Sequence, residues 1–151
     1  MELQKILLDS LFSGLACVGF SVVFNIRKPS HVFFSSLGGF LSWAVYLLAE
    51  PLGSDLFRYF LATIVISVYS EAMARVFKSP VTTFLLVSLF PLVPGGGIYY
   101  TMEHCISGDT AAFIETGLHT LGIAGSLAVG ILLVSSLTRL WKNIRQRYRH
   151  C

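Results

Sequence analysis

Charge is what this sequence has least of. Lys, Arg, Asp and Glu make up 13% of its 151 residues and hydrophobic residues 54%. Ordinary soluble domains carry about 25% charged residues. Such a composition leaves no room for a sizeable soluble domain and reads as an integral membrane protein. Cysteine is also scarce. Cys17, Cys105 and Cys151 are too few and too scattered for a disulfide framework or a metal-ligand spacing. Neither a metal nor a cofactor is expected. There is no His-Glu-x-x-His, no Gly-x-Ser-x-Gly and no pair of aspartates at membrane depth. An intramembrane enzyme is therefore the weakest reading. The first apolar stretch contains Asp9 and lacks both a basic start and a small-residue cleavage site. It is expected to be a retained helix rather than a signal peptide.

What is present is a series of apolar stretches, one of them interrupted. Val81 to Val93 would make a helix of ~20 Å and Ile98 to Ile106 one of ~13 Å. Neither crosses a hydrocarbon core of ~30 Å alone, but together they do. Between them lies Pro94-Gly95-Gly96-Gly97. Proline lacks an N–H and clashes with the preceding turn, and each glycine costs ~1 kcal/mol in a helix. The spacing predicts one transmembrane helix broken in two, with a surface loop between two short helices as the alternative. A break in lipid must be covered by protein or line a water-filled cavity. The N–H groups opening the second half-helix would suit a carboxylate, and discontinuous helices hold substrate in many secondary transporters.

The expected architecture is all-α and polytopic, one transmembrane domain over residues 1–151. About five helices are predicted, over 3–26, 31–49, 56–77, 81–106 (the broken one) and 111–137, with a short basic tail at 139–151. Asn25 is read as capping the end of the first helix, and Glu71 and Arg75 are four apart and can pair. Small residues in helix two, Ser35 with Gly39 and Gly38 with Ser42, allow close helix approach. Five crossings put Arg27, Lys28, Arg75, Lys78, Arg139, Lys142, Arg145, Arg147 and Arg149 on one side, nine of the eleven basic residues. Basic short loops mark the cytoplasm. The N-terminus is thus expected outside and the C-terminus inside the cell membrane. Seven of the eight acidic residues lie toward the outer side.

Several residues could carry chemistry. Pro94, Gly95, Gly96 and Gly97, with Tyr99, Tyr100 and Thr101, would offer a small carboxylate-bearing substrate N–H donors and hydroxyl partners. An interfacial aromatic belt is the competing reading for the tyrosines. Glu115 and His119 share a helix face near the outer end of helix five. Histidine titrates near neutral pH, so the pair is a candidate for proton coupling, against a merely solvated interfacial pair. Asp9, two turns into helix one, lines the same cavity or snorkels to the surface. The glycines of helix five read as packing. The basic tail, interleaved with Trp141 and Tyr148, reads as an anionic-lipid contact rather than a nucleic-acid site.

Val22-Val23-Phe24-Asn25, the Gly38-Gly39 helix and Phe90-Pro91-Leu92-Val93-Pro94-Gly95-Gly96-Gly97-Ile98-Tyr99 together resemble the small subunit of the threonine/serine exporter family. The similarity covers nearly the whole chain, and the Pro-Gly segment is its most specific part. The resemblance implies export of a small amino acid or of a dicarboxylate such as succinate. It also implies a larger membrane subunit of the same family as partner. A single set of five crossings offers one half of a site of the kind built between inverted repeats. The competing function is a non-transporting scaffold that stabilises a partner membrane protein, though a scaffold has no need of a helix broken in lipid.

Overall fold

A computed structural model describes residues 3–149. Six helices account for most of it: α1 (Leu3–Val23), α2 (Pro29–Leu48), α3 (Asp55–Phe77), α4 (Val81–Leu89), α5 (Gly95–Ser107) and α6 (Thr110–Arg149). No strand occurs among the described residues. Four helices, α1, α2, α3 and α6, are each long and apolar enough to cross a membrane. A 3-10 turn at Phe90–Leu92 prolongs α4. The segment Val81–Leu92 and α5 then pass the same test as a pair, bent by 52° at the break, which gives up to five spans.

The helix ends follow from local chemistry. α1 stops where Asn25 takes a left-handed φ of 55°. The Ile26 N–H then donates to the Ser21 carbonyl at 3.0 Å and closes the end, as expected of an Asn just past a helix. Lys78 does the same after α3, with φ 49°. Pro29 opens α2 at a position where no N–H is needed. Asp109 caps α6, its carboxylate accepting from the Ala112 N–H at 3.1 Å. The expected tail does not separate from the last helix: α6 continues to Arg149. Past Gly130 the sequence holds no glycine or proline, so nothing breaks the helix when its residues turn from apolar to basic. Cys151 lies outside the described residues.

Packing runs through small residues. α2 is the hub, touching α1, α3 and α4, while α3 also touches α6 and α5 touches α6. Ser35, Gly38, Gly39 and Ser42 are all buried on α2. A Cβ on Gly38 would run into Ser88 of α4, and one on Gly39 into Cys17 of α1. At that separation side-chain hydroxyls and a thiol reach the neighbouring backbone. Ser13 donates to Gly39 O at 3.0 Å, Cys17 to Val87 O at 3.2 Å, Ser88 to Ser35 O at 3.1 Å and Tyr69 to Phe34 O at 2.7 Å. Each such bond between membrane helices contributes roughly 0.6 kcal/mol. The apolar core joins Ala62 and Ile66 of α3, Leu92 at the end of the 3-10 turn, and Ile123 and Leu127 of α6.

The two ends of the bundle differ in charge. At the basic end, the His31 ring meets Ser79 Oγ at 2.7 Å. That contact ties the start of α2, beside Arg27 and Lys28, to the turn carrying Lys78. Glu71 and Arg75 pair at 3.7 Å, as their spacing predicts, and the Arg75 guanidinium lies 5.7 Å from the Trp141 ring of α6. At the opposite, acidic end, Asp55 opens α3 and lies 3.5 Å from His119 of α6. From His119 to Trp141 α6 rises ~33 Å, which matches a hydrocarbon core of ~30 Å. The first turns of α6, with α5 antiparallel beside them, extend past the start of α3.

Candidate functional site

The break lies toward the acidic end. Leu92 is fully buried against α3 and α6. Pro94 then adopts φ −76° and ψ 59°, and the Gly95 N–H turns back to Val93 O at 2.7 Å. Without a Cβ, Gly97 can sit against the Thr120 side chain of α6, which any larger residue would strike. Gly95 and Gly96 face open space: a Cβ on Gly95 would meet nothing within 4 Å, and one on Gly96 only Tyr100 at 4.0 Å. Among the first N–H groups of α5, those of Gly95 and Ile98 are taken by Val93 O and Pro94 O, which leaves those of Gly96 and Gly97 without an acceptor in their own helix.

Around the break the acidic end collects polar groups from four helices. A cavity of about 320 Å³ is lined by Asp9, Phe12 and Ser13 of α1, Trp43 of α2, and Pro91. Trp43 stacks toward Tyr46 at 5.2 Å between ring centres, and Tyr46 toward Tyr59 of α3 at 4.6 Å. The Tyr46 hydroxyl donates to Asp55 Oδ1 at 2.7 Å. The Arg58 guanidinium covers the Tyr46 ring at 4.2 Å, donates to Tyr46 O at 3.2 Å and approaches Asp55 at 3.8 Å. On the far side of Asp55 stands His119, one residue from the Thr120 that receives Gly97. A run of aromatic, carboxylate and cationic side chains thus passes from Asp9 to His119, with Pro91 flanking one end and Gly97 the other.

The expected residues fare differently. Asp9 is half-buried in the cavity. His119 faces Asp55 rather than Glu115, which is exposed and makes no ion pair among the described residues. The reason is length: Glu115 lies one turn beyond the point where α3 begins, so α3 has no residue to face it. Tyr99 and Tyr100 are exposed and packed edge-on to each other at 5.5 Å. Thr101 bonds back to Gly97 O at 2.7 Å. The tyrosines therefore stand apart from the Asp55 cluster. Tyr46, Asp55 and Arg58 went unpredicted. Asp55 reads as a loop residue, and only the docking of α2, α3 and α6 brings residues 46, 55, 58 and 119 together. No group of three or more His, Cys, Asp or Glu side chains among the described residues could hold a metal.

The fold and this polar mouth define the protein as a polytopic all-helical membrane protein with a helix broken beside a cluster of ionisable groups. Comparison with known families carries this further. The model described as "Threonine/Serine exporter, ThrE" matches residues 9–137, and the chain belongs to the threonine/serine exporter family, a family of transporters and not of enzymes. A relative from Haemophilus influenzae, described as an uncharacterized protein, is 26% identical over 137 residues, covering 85% of this chain and 46% of its own length. The chain thus spans about half the length of that relative. No solved structure matches.

Proposed function

We propose that this chain is one half of a secondary transporter that exports a small carboxylate-bearing metabolite, either an amino acid of the threonine/serine type or a dicarboxylate such as succinate. The substrate binds at the acidic end of the bundle, which faces outward across the cell membrane. The observation that carries this reading is the Asp55–His119 pair beside the broken helix. A carboxylate–imidazole contact this open contributes little stability, so its placement at the break points to a task other than holding the fold. The exposed first turn of α5 and Arg58 supply a carboxylate with donors and positive charge. Asp55 and Asp9 suit an ammonium group, and His119 is the candidate for coupling transport to protons.

The remaining half of the site comes from a larger membrane subunit of the same family, in reversed orientation. Two features support this. The Haemophilus influenzae relative carries about as much chain again beyond its match, and α5 has no buried residue among its own neighbours, so a partner has a face to cover. The test is substrate efflux from cells producing this chain with its candidate partner. Asp55→Asn should lower efflux on the order of tenfold, the loss expected when one member of a charged hydrogen-bonded set goes, with membrane levels unchanged. Undiminished efflux from Asp55→Asn would remove the site from this end.

A further inference from the structure

We propose that the groove between α3 and α6 at the basic end is a binding site for one anionic phospholipid. The groove encloses about 440 Å³ and is lined by Ile64, Val68, Glu71, Ala72 and Arg75 of α3, and by Val134, Leu137, Thr138 and Trp141 of α6. Its origin is legible in α6. Higher in the bundle, Gly122 and Gly130 let α6 close on α3: a Cβ on Gly130 would approach Thr63 Cγ2 to 2.9 Å, and one on Gly122 would approach Leu56 to 3.0 Å. Past Gly130 the residues facing α3 are Val134, Leu137 and Trp141, whose bulk leaves a slot in place of a contact.

Length and charge both fit a lipid. From Ile64 to Arg75 the groove runs ~16 Å along α3, the depth of one leaflet in a ~30 Å core. Its wall is aliphatic except at the basic end. There Arg75 and Trp141 form the rim, the guanidinium 5.7 Å from the indole ring, with Lys142, the residue after Trp141, on the same end of α6. Tryptophan and arginine at this height are the side chains expected at a headgroup. Glu71 is the one acidic group in the lining, and it is held by Arg75 at 3.7 Å. Glu71 and Arg75 cancel, so the positive excess at this end comes from Lys142, and it favours an anionic headgroup over a zwitterionic one. A second membrane protein would find the same aliphatic wall. The cluster of cations placed where the slot ends is what favours a lipid.

This inference needs only that the chain spans the membrane and is independent of what it transports. The full chain is reconstituted with equal amounts of phosphatidylglycerol and phosphatidylethanolamine, and the lipids retained on release are counted by native mass spectrometry. Phosphatidylglycerol should be retained about five-fold over phosphatidylethanolamine, the scale of one interfacial cation. Ala72→Phe, which fills the slot and leaves every charge in place, should abolish that preference, and Arg75→Gln should reduce it. A preference unchanged in Ala72→Phe would assign it to the basic tail alone and overturn the site. So would a photoreactive residue at Val68 that cross-links to a protein and not to lipid in native membranes.

Discussion

At the scale of single residues, the proposed site turns on His119 and the residue it faces. Sequence spacing offers Glu115, four residues away on the same face. The fold offers Asp55, because α3 begins beside His119 and stops short of Glu115. If His119 takes up and releases the coupled proton, His119→Ala should flatten the pH dependence of transport more than it lowers expression. Glu115→Gln should leave that profile in place. A pH profile unchanged in His119→Ala would reduce the residue to a surface contact. The contrast also shows what a sequence can yield here. Asn25 and the Glu71–Arg75 pair depend on neighbours within a few positions and were legible. Asp55 meets His119, and Tyr46 meets Asp55 and Arg58, only across helix interfaces, and no spacing encodes that.

At the scale of elements, the glycines separate into those that pack and those that leave space. Gly38 is closed in by Ser88 and Tyr69. A side chain there must push α2 from α4, so Gly38→Val should destabilise the protein by about 1–3 kcal/mol, the usual cost of overpacking. Thermal unfolding in detergent measures this, with Gly95→Ala as a control that meets nothing within 4 Å. Gly96 is the informative position. It lies in the break yet has open space beside it, so Gly96→Leu should insert and fold normally. Transport should nonetheless fall by at least about tenfold, because the new side chain occupies the ground where substrate meets backbone. Normal efflux from a correctly inserted Gly96→Leu would move the site elsewhere. The break itself was legible because proline and three glycines have few other uses in an apolar run. The unbroken course of α6 into its basic tail was not. A change from apolar to charged side chains suggests a boundary, but the backbone stays helical without a residue that stops it.

At the scale of the whole molecule, the charge asymmetry and the unfilled face of α5 belong together. A basic end turned to the cytoplasm puts the Asp55 cluster and the break toward the outside, together with α5 and its exposed Cys105. In single-cysteine variants an impermeant thiol reagent applied to intact cells should label Cys105 and miss Cys151. Labelling of Cys151 from outside would reverse the orientation. Oriented this way, the bundle would present one side of the proposed site, and α5, which has no buried residue, would be the face for the proposed partner. The measurement that bears most directly on this account is substrate flux in proteoliposomes holding this chain alone, the candidate larger subunit alone, or both. The account predicts flux of threonine, serine or succinate only when both are present, and its loss with Asp55→Asn in this chain. Full flux from this chain alone would contradict it.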